Sequence, residues 1–217
     1  MKSFTTRDPH DLPDGLISTK VDTADPDAIE TVHELCRFGF RLVTVEITFE
    51  GLLGRSTESD AWESIRRASD KDCKSVRRLA ATCFSVDRFH SDPMIQSEAA
   101  DSVKAEWVAN FFTGGRGTDL YVSESNGVVH GFLLTIQEPG RLTVDLVAVD
   151  ESVRGRGIAQ RLIRHARSGA ESSSPGEDVV VRVGTQLANK ASIRTYTSLG
   201  LTFVSSRYVL HRVWPRR

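Results

Sequence analysis

The sequence predicts a mixed α/β fold: a mostly antiparallel central sheet flanked by helices, with a small β-α-β half-domain in front of it. Three observations carry this. Short apolar-rich runs over 119–124, 128–136 and 142–149 are separated by the turn dipeptides Asn126-Gly127 and Pro139-Gly140, as in hairpin-linked strands. They recur at period three to four through 70–84, 97–112 and 158–170, as in helices that each bury one face. From residue 64 onward the patterns follow the order β-α-α-β-β-β-α-β-α-β-β, that of a mixed sheet.

Each element has its own reason. Ser64–Ala68 reads as a short strand. Asp70 starts a helix to about Phe84, with Val76, Leu79, Ala80 and Cys83 on one face. The loop "SVDRFHSDPM" follows. Ser97–Phe112 is a second helix, its apolar face made by Val103, Trp107, Val108 and Phe111. Asp119–Glu124 and Val128–Ile136 are strands joined at Asn126-Gly127, a dipeptide suited to a tight hairpin. After Pro139-Gly140, Leu142–Val149 is the next strand. A glycine loop then opens a helix to about Ala170, with Ile158, Leu162 and Ala166 spaced by four. "SSSPGED" is a turn and Val179–Gly184 a strongly apolar strand. Asn189–Leu199 is a helix stopped by Gly200, and Leu201–Val213 holds two short strand segments.

Residues 1–53 echo the C-terminal end. Ser18–Phe49 and Val181–Leu210 both run strand, threonine-bearing turn, helix, a glycine between two large apolar residues, then strand. Thr23 matches Thr185, and Phe38-Gly39-Phe40 matches Leu199-Gly200-Leu201. The N-terminal copy lacks a glycine loop, and Leu35 stands where the C-terminal copy has Tyr196. It reads as a structural half-domain over 1–53, joined by a Gly/Ser-rich linker over 54–62 to a main domain over 63–217.

Bulk composition narrows the partners. The 217 residues carry 39% hydrophobic and 26% charged side chains, ordinary for a globular protein. A net charge of −1 gives no sign of a nucleic-acid partner. No run is long and apolar enough for a membrane span, and the first ten residues lack the apolar stretch of a leader. Three cysteines at spacings unlike any zinc motif point to a reducing, cytoplasmic compartment and no metal. The late strand 206–213 reads as a sheet edge that a second copy could pair with, the one hint of a homodimer.

The chemistry concentrates in "VRGRGIAQRLI" from Val153 to Ile163. Unpaired N–H groups at a helix start, with the helix dipole behind them, favour a phosphate. Gly155 and Gly157 let the backbone come close and take positive φ, and Arg154 and Arg156 add charge. The string fails the dinucleotide fingerprint, since Gln160 stands where a third glycine belongs, and no Walker string exists. A pyrophosphate cradle or a plain glycine-rich turn remains.

Arg154-x-x-Gly157-x-Ala159 after "LTVDLVAV", with "NKASIRTYTSLGL" downstream, resembles the GNAT (Gcn5-related) N-acetyltransferases over about Ser64–Trp214. "DRFHSDP", "RVGTQLANKASIRTYTSLGL" and "SSRYVLHRVW" are similar to the TDP-fucosamine (amino-sugar nucleotide) acetyltransferase group within it. The resemblance implies acetyl-CoA as co-substrate, a primary amine of a small molecule as acceptor, and an acyltransferase of class EC 2.3.1. It implies that Leu146, Val147, Ala148 and Val149 offer strand backbone to the pantetheine arm. Arg154, Gly155, Arg156, Gly157, Ile158 and Ala159 would bind pyrophosphate, and Asn189 and Tyr196 the rest of the arm. Tyr196 would be the general acid, since a phenol carries its proton at neutral pH. Asp145 is a candidate base that alternates with Thr143 and Val147 on one strand face; His90 and direct loss to water are the alternatives. Arg88 and His90, with Asp92 beside them, and Thr185 with Gln186 are candidate acceptor-binding residues. A nucleotide-linked amino sugar leads as acceptor. A peptide or antibiotic amine, a CoA-binding sensor without chemistry, and a structural interaction protein are the rival readings.

Overall fold

A computed structural model describes residues 15–53, 63–173 and 178–213. The expected linker over 54–62 lies outside the described residues, as do residues 174–177 of the "SSSPGED" turn.

The strands are β1 (Leu16–Asp22), β2 (Arg41–Leu52), β3 (Ser64–Arg67), β4 (Asp119–Ser125), β5 (Val128–Glu138), β6 (Arg141–Val149), β7 (Val180–Gln186) and β8 (Thr202–Val213). The helices are α1 (Ala28–Arg37), α2 (Cys73–Cys83), α3 (Ser97–Phe112), α4 (Ile158–Ser173) and α5 (Lys190–Ser198). All eight strands form one sheet in the order β1-β8-β2-β7-β6-β5-β4-β3. Every neighbouring pair is antiparallel except β6 and β7.

Two apolar layers sandwich the sheet. Val76, Leu79 and Ala80 of α2 and Val103, Trp107 and Val108 of α3 pack on one face with Phe132, Leu146 and Ala148. Ile158, Leu162 and Ala166 of α4 and Tyr196 of α5 pack on the other with Val144, Val181 and Val183. The β4–β5 hairpin turns at Asn126 and Gly127, with φ of 51° and 76°, as the dipeptide predicts. The start of α2 differs slightly from expectation. Ser69 caps a short 3-10 turn over Asp70–Asp72, and its side chain and that of Asp72 satisfy each other's backbone N–H.

The N-terminal strands lie inside this sheet. β2 is inserted between β7 and β8, and β1 lies beyond β8. This corrects two expectations. Leu201–Val213 yields one twelve-residue strand rather than two segments, because β2 pairs along Thr202–His211 and β1 along Arg207–Val213, so that the two partners together span β8. For the same reason 206–213 is no sheet edge, and it has no open side to offer a second copy.

The echo is realised as a two-fold interleaving. Val45 pairs with Tyr208 and Ile47 with Ser206, with Glu46 opposite Arg207 between them. The sequence repeat relates each of these pairs to the other and Glu46 to Arg207, so a local pseudo-dyad passes through that pair. Val45 packs with the α5 cluster and Tyr208 with the α1 cluster of Val21, Ala28, Val32 and Leu210. Both helices therefore cover the same sheet face. From the opposite face of β1, β8 and β2, Lys20, Glu46, Thr48 and Arg207 line the cleft described next.

Candidate active site in the strand splay

Strands β6 and β7 pair only over Arg141–Val144 and Val180–Val183. Beyond them the strands part, although β6 runs on to Val149 and β7 to Gln186. A cleft of about 1210 Å³ occupies the gap. One edge of β6 beyond Val144 thus lacks a neighbouring strand, as an extended arm would need, although the carbonyl of Val149 already accepts from Arg154.

A bulge marks the point of parting. Leu134 opposes Leu146 and Thr135 opposes Val144, which leaves Asp145 as the extra residue. The bulge shifts the alternation. Val144 and Val147 pack on the α4 side, and Leu146 and Ala148 on the α3 side. Asp145 and Val147 therefore do not share a face, contrary to simple period two. Asp145 turns toward Arg116, whose Nε and Nη2 reach its two oxygens at 2.7 and 2.9 Å. The carboxylate read as a candidate base is committed to a forked ion pair.

The glycine loop closes one end of the cleft. Gly155 and Gly157 have φ of 81° and 76°, the left-handed region that glycine enters without strain. A Cβ at Gly155 would touch nothing, so backbone conformation is what demands glycine there. The first α4 amide with a backbone acceptor among the described residues is that of Arg161, bonded to Gly157 O at 3.0 Å. The amides of Ile158, Ala159 and Gln160 precede it at the positive end of the helix. Arg154 lines the cleft, with its Nε donating to Val149 O at 3.1 Å. Arg156 lies outside the lining, and its carbonyl accepts from Arg161.

The other side of the gap carries Asn189 and Tyr196. Asn189 Oδ1 accepts from Ser192 N at 3.1 Å and so caps α5. That cap fixes the helix that carries Tyr196, which is 3% exposed and packs its ring on Phe49 at 6.0 Å. Burial pushes the phenol up to about 12, with the Ser192 hydroxyl pulling the other way. Tyr196 thus carries its proton across the physiological range.

Strand alternation separates Thr185 from Gln186. Thr185 opposes Ile47 of the α5-side core, and Gln186 opposes Glu46 on the other face. The loop over 85–94 also divides. Arg88 lines the cleft, but His90 does not. His90 sits between two carboxylates, with Nδ1 2.8 Å from Asp87 and Nε2 3.0 Å from Asp101. Its partner Asp87 does line the cleft, so the imidazole stands behind the wall and not in it. Asp92 turns away to His211 at 2.9 Å and Arg41 at 3.0 Å, tying the loop to β8 and β2.

The model of the Acetyltransferase (GNAT) family matches residues 74–201, from the start of α2 to the end of α5. The chain belongs to the GNAT acetyltransferase family. Among curated relatives of this GNAT chain, the spore coat polysaccharide biosynthesis protein SpsD of Bacillus subtilis is 31% identical over 66% of the chain. The chain spans about half of that relative, 48% of its length. The dTDP-fucosamine acetyltransferase of Escherichia coli is 24% identical over 96% of the chain and 89% of its own length. The fold is shared with a GCN5-related N-acetyltransferase from Sphaerobacter thermophilus, at TM-score 0.60 and 13% identity over 91% of this chain and 59% of that one. It is shared also with a tandem GNAT protein of the clavulanic acid pathway, at TM-score 0.62 and 15% identity over 93% and 65%.

The GNAT cleft has walls that sequence reading did not single out. Lys20 of β1 reaches Glu46 of β2 at 2.9 and 2.8 Å, and Arg207 of β8 stands 3.6 Å from the same carboxylate. Burial alone would raise the Glu46 carboxyl, but Lys20, Arg207 and Arg88 bring it below its usual value. Lys104, Trp107 and Arg116 line the opposite wall. Lys104 had a readable signal. Ala100, Lys104, Trp107, Val108 and Phe111 fall on one helical face, so a lysine stands inside an apolar stripe. Among the described residues no group of three His, Cys, Asp or Glu is placed to hold a metal. No described helix is long and apolar enough to cross a membrane.

Proposed function

We propose that this chain is an N-acetyltransferase that moves an acetyl group from acetyl-CoA to the primary amine of a nucleotide-linked amino sugar. The observation that carries the reading is the splay of β6 from β7, with the glycine loop at one end of the gap and the Tyr196 helix across it. The donor fits the residues present. The loop amides and Arg154 suit a pyrophosphate, and the unpaired edge of Asp145–Val149 suits an amide-bearing arm. Acetyl-CoA supplies the activated acyl group as a thioester.

The residues of the chain do the rest. Tyr196 donates the proton that the departing thiolate needs, from a site where water is excluded. The backbone N–H groups of the open β6 edge can receive the negative charge that develops on the acyl oxygen. Arg116 holds Asp145 at the bulge, where the carboxylate can accept a hydrogen bond from the incoming amine. As the N–C bond forms and the C–S bond breaks, the proton that the nitrogen loses passes past Asp145 to cleft water, which returns one to the Tyr196 phenolate. The sugar assignment draws on the two curated relatives, one named for spore coat polysaccharide biosynthesis and the other for dTDP-fucosamine.

The test is free-thiol release from acetyl-CoA with nucleotide-linked amino sugars beside simple amines, peptides and aminoglycosides. Turnover on a nucleotide sugar at a kcat/KM at least tenfold above the other classes is the expected result. Turnover only on the other amines discards the sugar. Silence across the panel, with CoA bound, discards the reaction.

A further inference from the structure

The cleft concentrates charge that acyl transfer itself does not use. The chain has a net charge of −1, yet seven basic and three acidic described side chains line the cleft. Of the seven, only Arg154 belongs to the glycine loop. Most of the others have carboxylate partners. Lys20 and Arg207 share Glu46, Arg116 grips Asp145, and Arg182 pairs with Glu50.

Lys104 is different. It is 6% exposed, on a helix face otherwise apolar, and no carboxylate or hydrogen-bond acceptor among the described residues meets its ammonium. The ammonium instead stands over the Trp107 indole at 4.4 Å, with the Phe84 and Phe89 rings at 5.3 and 5.5 Å. The same indole carries Arg116 at 4.3 Å and Arg88 at 5.3 Å. Cation–π contact returns only part of what a buried ammonium loses with its water. A methionine or leucine would fill this position at less cost. Burial pulls the Lys104 ammonium down to about 8; Asp87 and Asp145 act to raise it and Arg88 and Arg116 to lower it.

A buried cation without a partner, aimed into a cleft and flanked by two guanidinium groups, is a site built for an anion from outside the chain. Guanidinium groups fit phosphate oxygens two at a time, and an ammonium adds a point charge. Away from the glycine loop, six basic side chains face three acidic ones, a surplus that a dianion does not overturn. We propose that Lys104, with Arg88 and Arg116 around the Trp107 indole, forms a phosphate subsite that holds the diphosphate of the acceptor. This rests on the acceptor side assigned under the acetyltransferase reading.

The test measures binding without turnover. The full chain is first saturated with CoA, so that the glycine loop is filled, and is then titrated with inorganic pyrophosphate by calorimetry. The intact protein should bind it, and Lys104→Met should weaken binding at least tenfold with CoA affinity unchanged. Lys104→Arg should restore most of the loss. Equal pyrophosphate affinity in Lys104→Met overturns the subsite, as does absence of binding by the intact protein. Equal affinity for acetate in place of pyrophosphate overturns the phosphate assignment. A parallel loss of CoA affinity overturns it too, because it would make Lys104 a support of the whole cleft. The two readings fail separately. Lys104-dependent pyrophosphate binding with no thiol release on any amine keeps the subsite and sinks the reaction. Turnover of a nucleotide sugar that Lys104→Met leaves unchanged keeps the reaction and sinks the subsite.

Discussion

β1-α1-β2 and β7-α5-β8 are two versions of one unit, interleaved about the Glu46–Arg207 pair. Both bury a helix on the same sheet face, yet the reaction proposed above would use only one helix. In the C-terminal copy, Asn189 caps α5 through its side chain and Tyr196 is buried beside the splay. In the N-terminal copy, Asp27 precedes α1 without a side-chain cap bond, and Leu35 packs against a small apolar cluster. The N-terminal copy supplies instead Lys20, Glu46 and Thr48 to the cleft wall. The repeat thus fixes where backbone goes. The side chains differ: one copy buries Tyr196 beside the splay, the proton donor of the proposed reaction, and the other lines the cleft with Lys20, Glu46 and Thr48.

Seven substitutions, arranged as four comparisons, test this contrast. Tyr196→Phe should lower kcat by about two to four orders of magnitude, the usual range for a lost proton donor. Acetyl-CoA affinity by calorimetry should stay within about twofold. The corresponding Leu35→Ala change should leave kcat alone, and a fall as large as that of Tyr196→Phe would remove the division of labour.

Lys104 belongs to neither copy and should behave oppositely to both. Its ammonium is depressed to about 8 in the folded chain. Above that value the unfolded chain binds the extra proton, so stability from this group rises with pH between about 8 and 10.5. Lys104→Met should therefore be the more stable protein at pH 7, by on the order of 3 kcal/mol at most. Thermal melting at pH 7 and pH 10 checks it, and the advantage should shrink at the higher pH.

A smaller effect separates the two loop arginines. Arg154→Ala should weaken CoA about tenfold, the scale of a charged hydrogen bond in a partly wet site. Arg156→Ala should weaken it less, because Arg156 lies outside the cleft lining. Equal losses would mean that long-range charge, not contact, holds the donor. The smallest effect compares the helix starts. Asn189→Ala should destabilise by about 1 kcal/mol for the lost cap, and Asp27→Ala by much less.

Much of this molecule is legible in local patterns of its sequence. Period and turn residues locate the hairpins and the helices α2 to α5, because those signals arise within a few residues. The glycine loop and Tyr196 are legible as short strings. What stays hidden depends on partners far away in sequence. Nothing in 41–52 says that it lies between residues of 180–186 and 202–213. The bulge at Asp145 reverses a face assignment that period two alone would give, and the Arg116 fork then occupies the carboxylate. His90 looks like a free titratable group because Asp101, eleven residues on, is invisible to a loop-local reading.

The placement of β8 has a consequence for how the chain is made. Its two neighbours, β2 and β1, are complete 150 and 180 residues ahead of it, and the space between them in the sheet belongs to β8. During synthesis an open slot with two raw strand edges must wait for the last strand. Contacts so distant in sequence make folding slow and leave those edges adhesive meanwhile. A nascent chain stalled before residue 202 would hold every residue that lines the cleft except Arg207 and still be a substrate for chaperones.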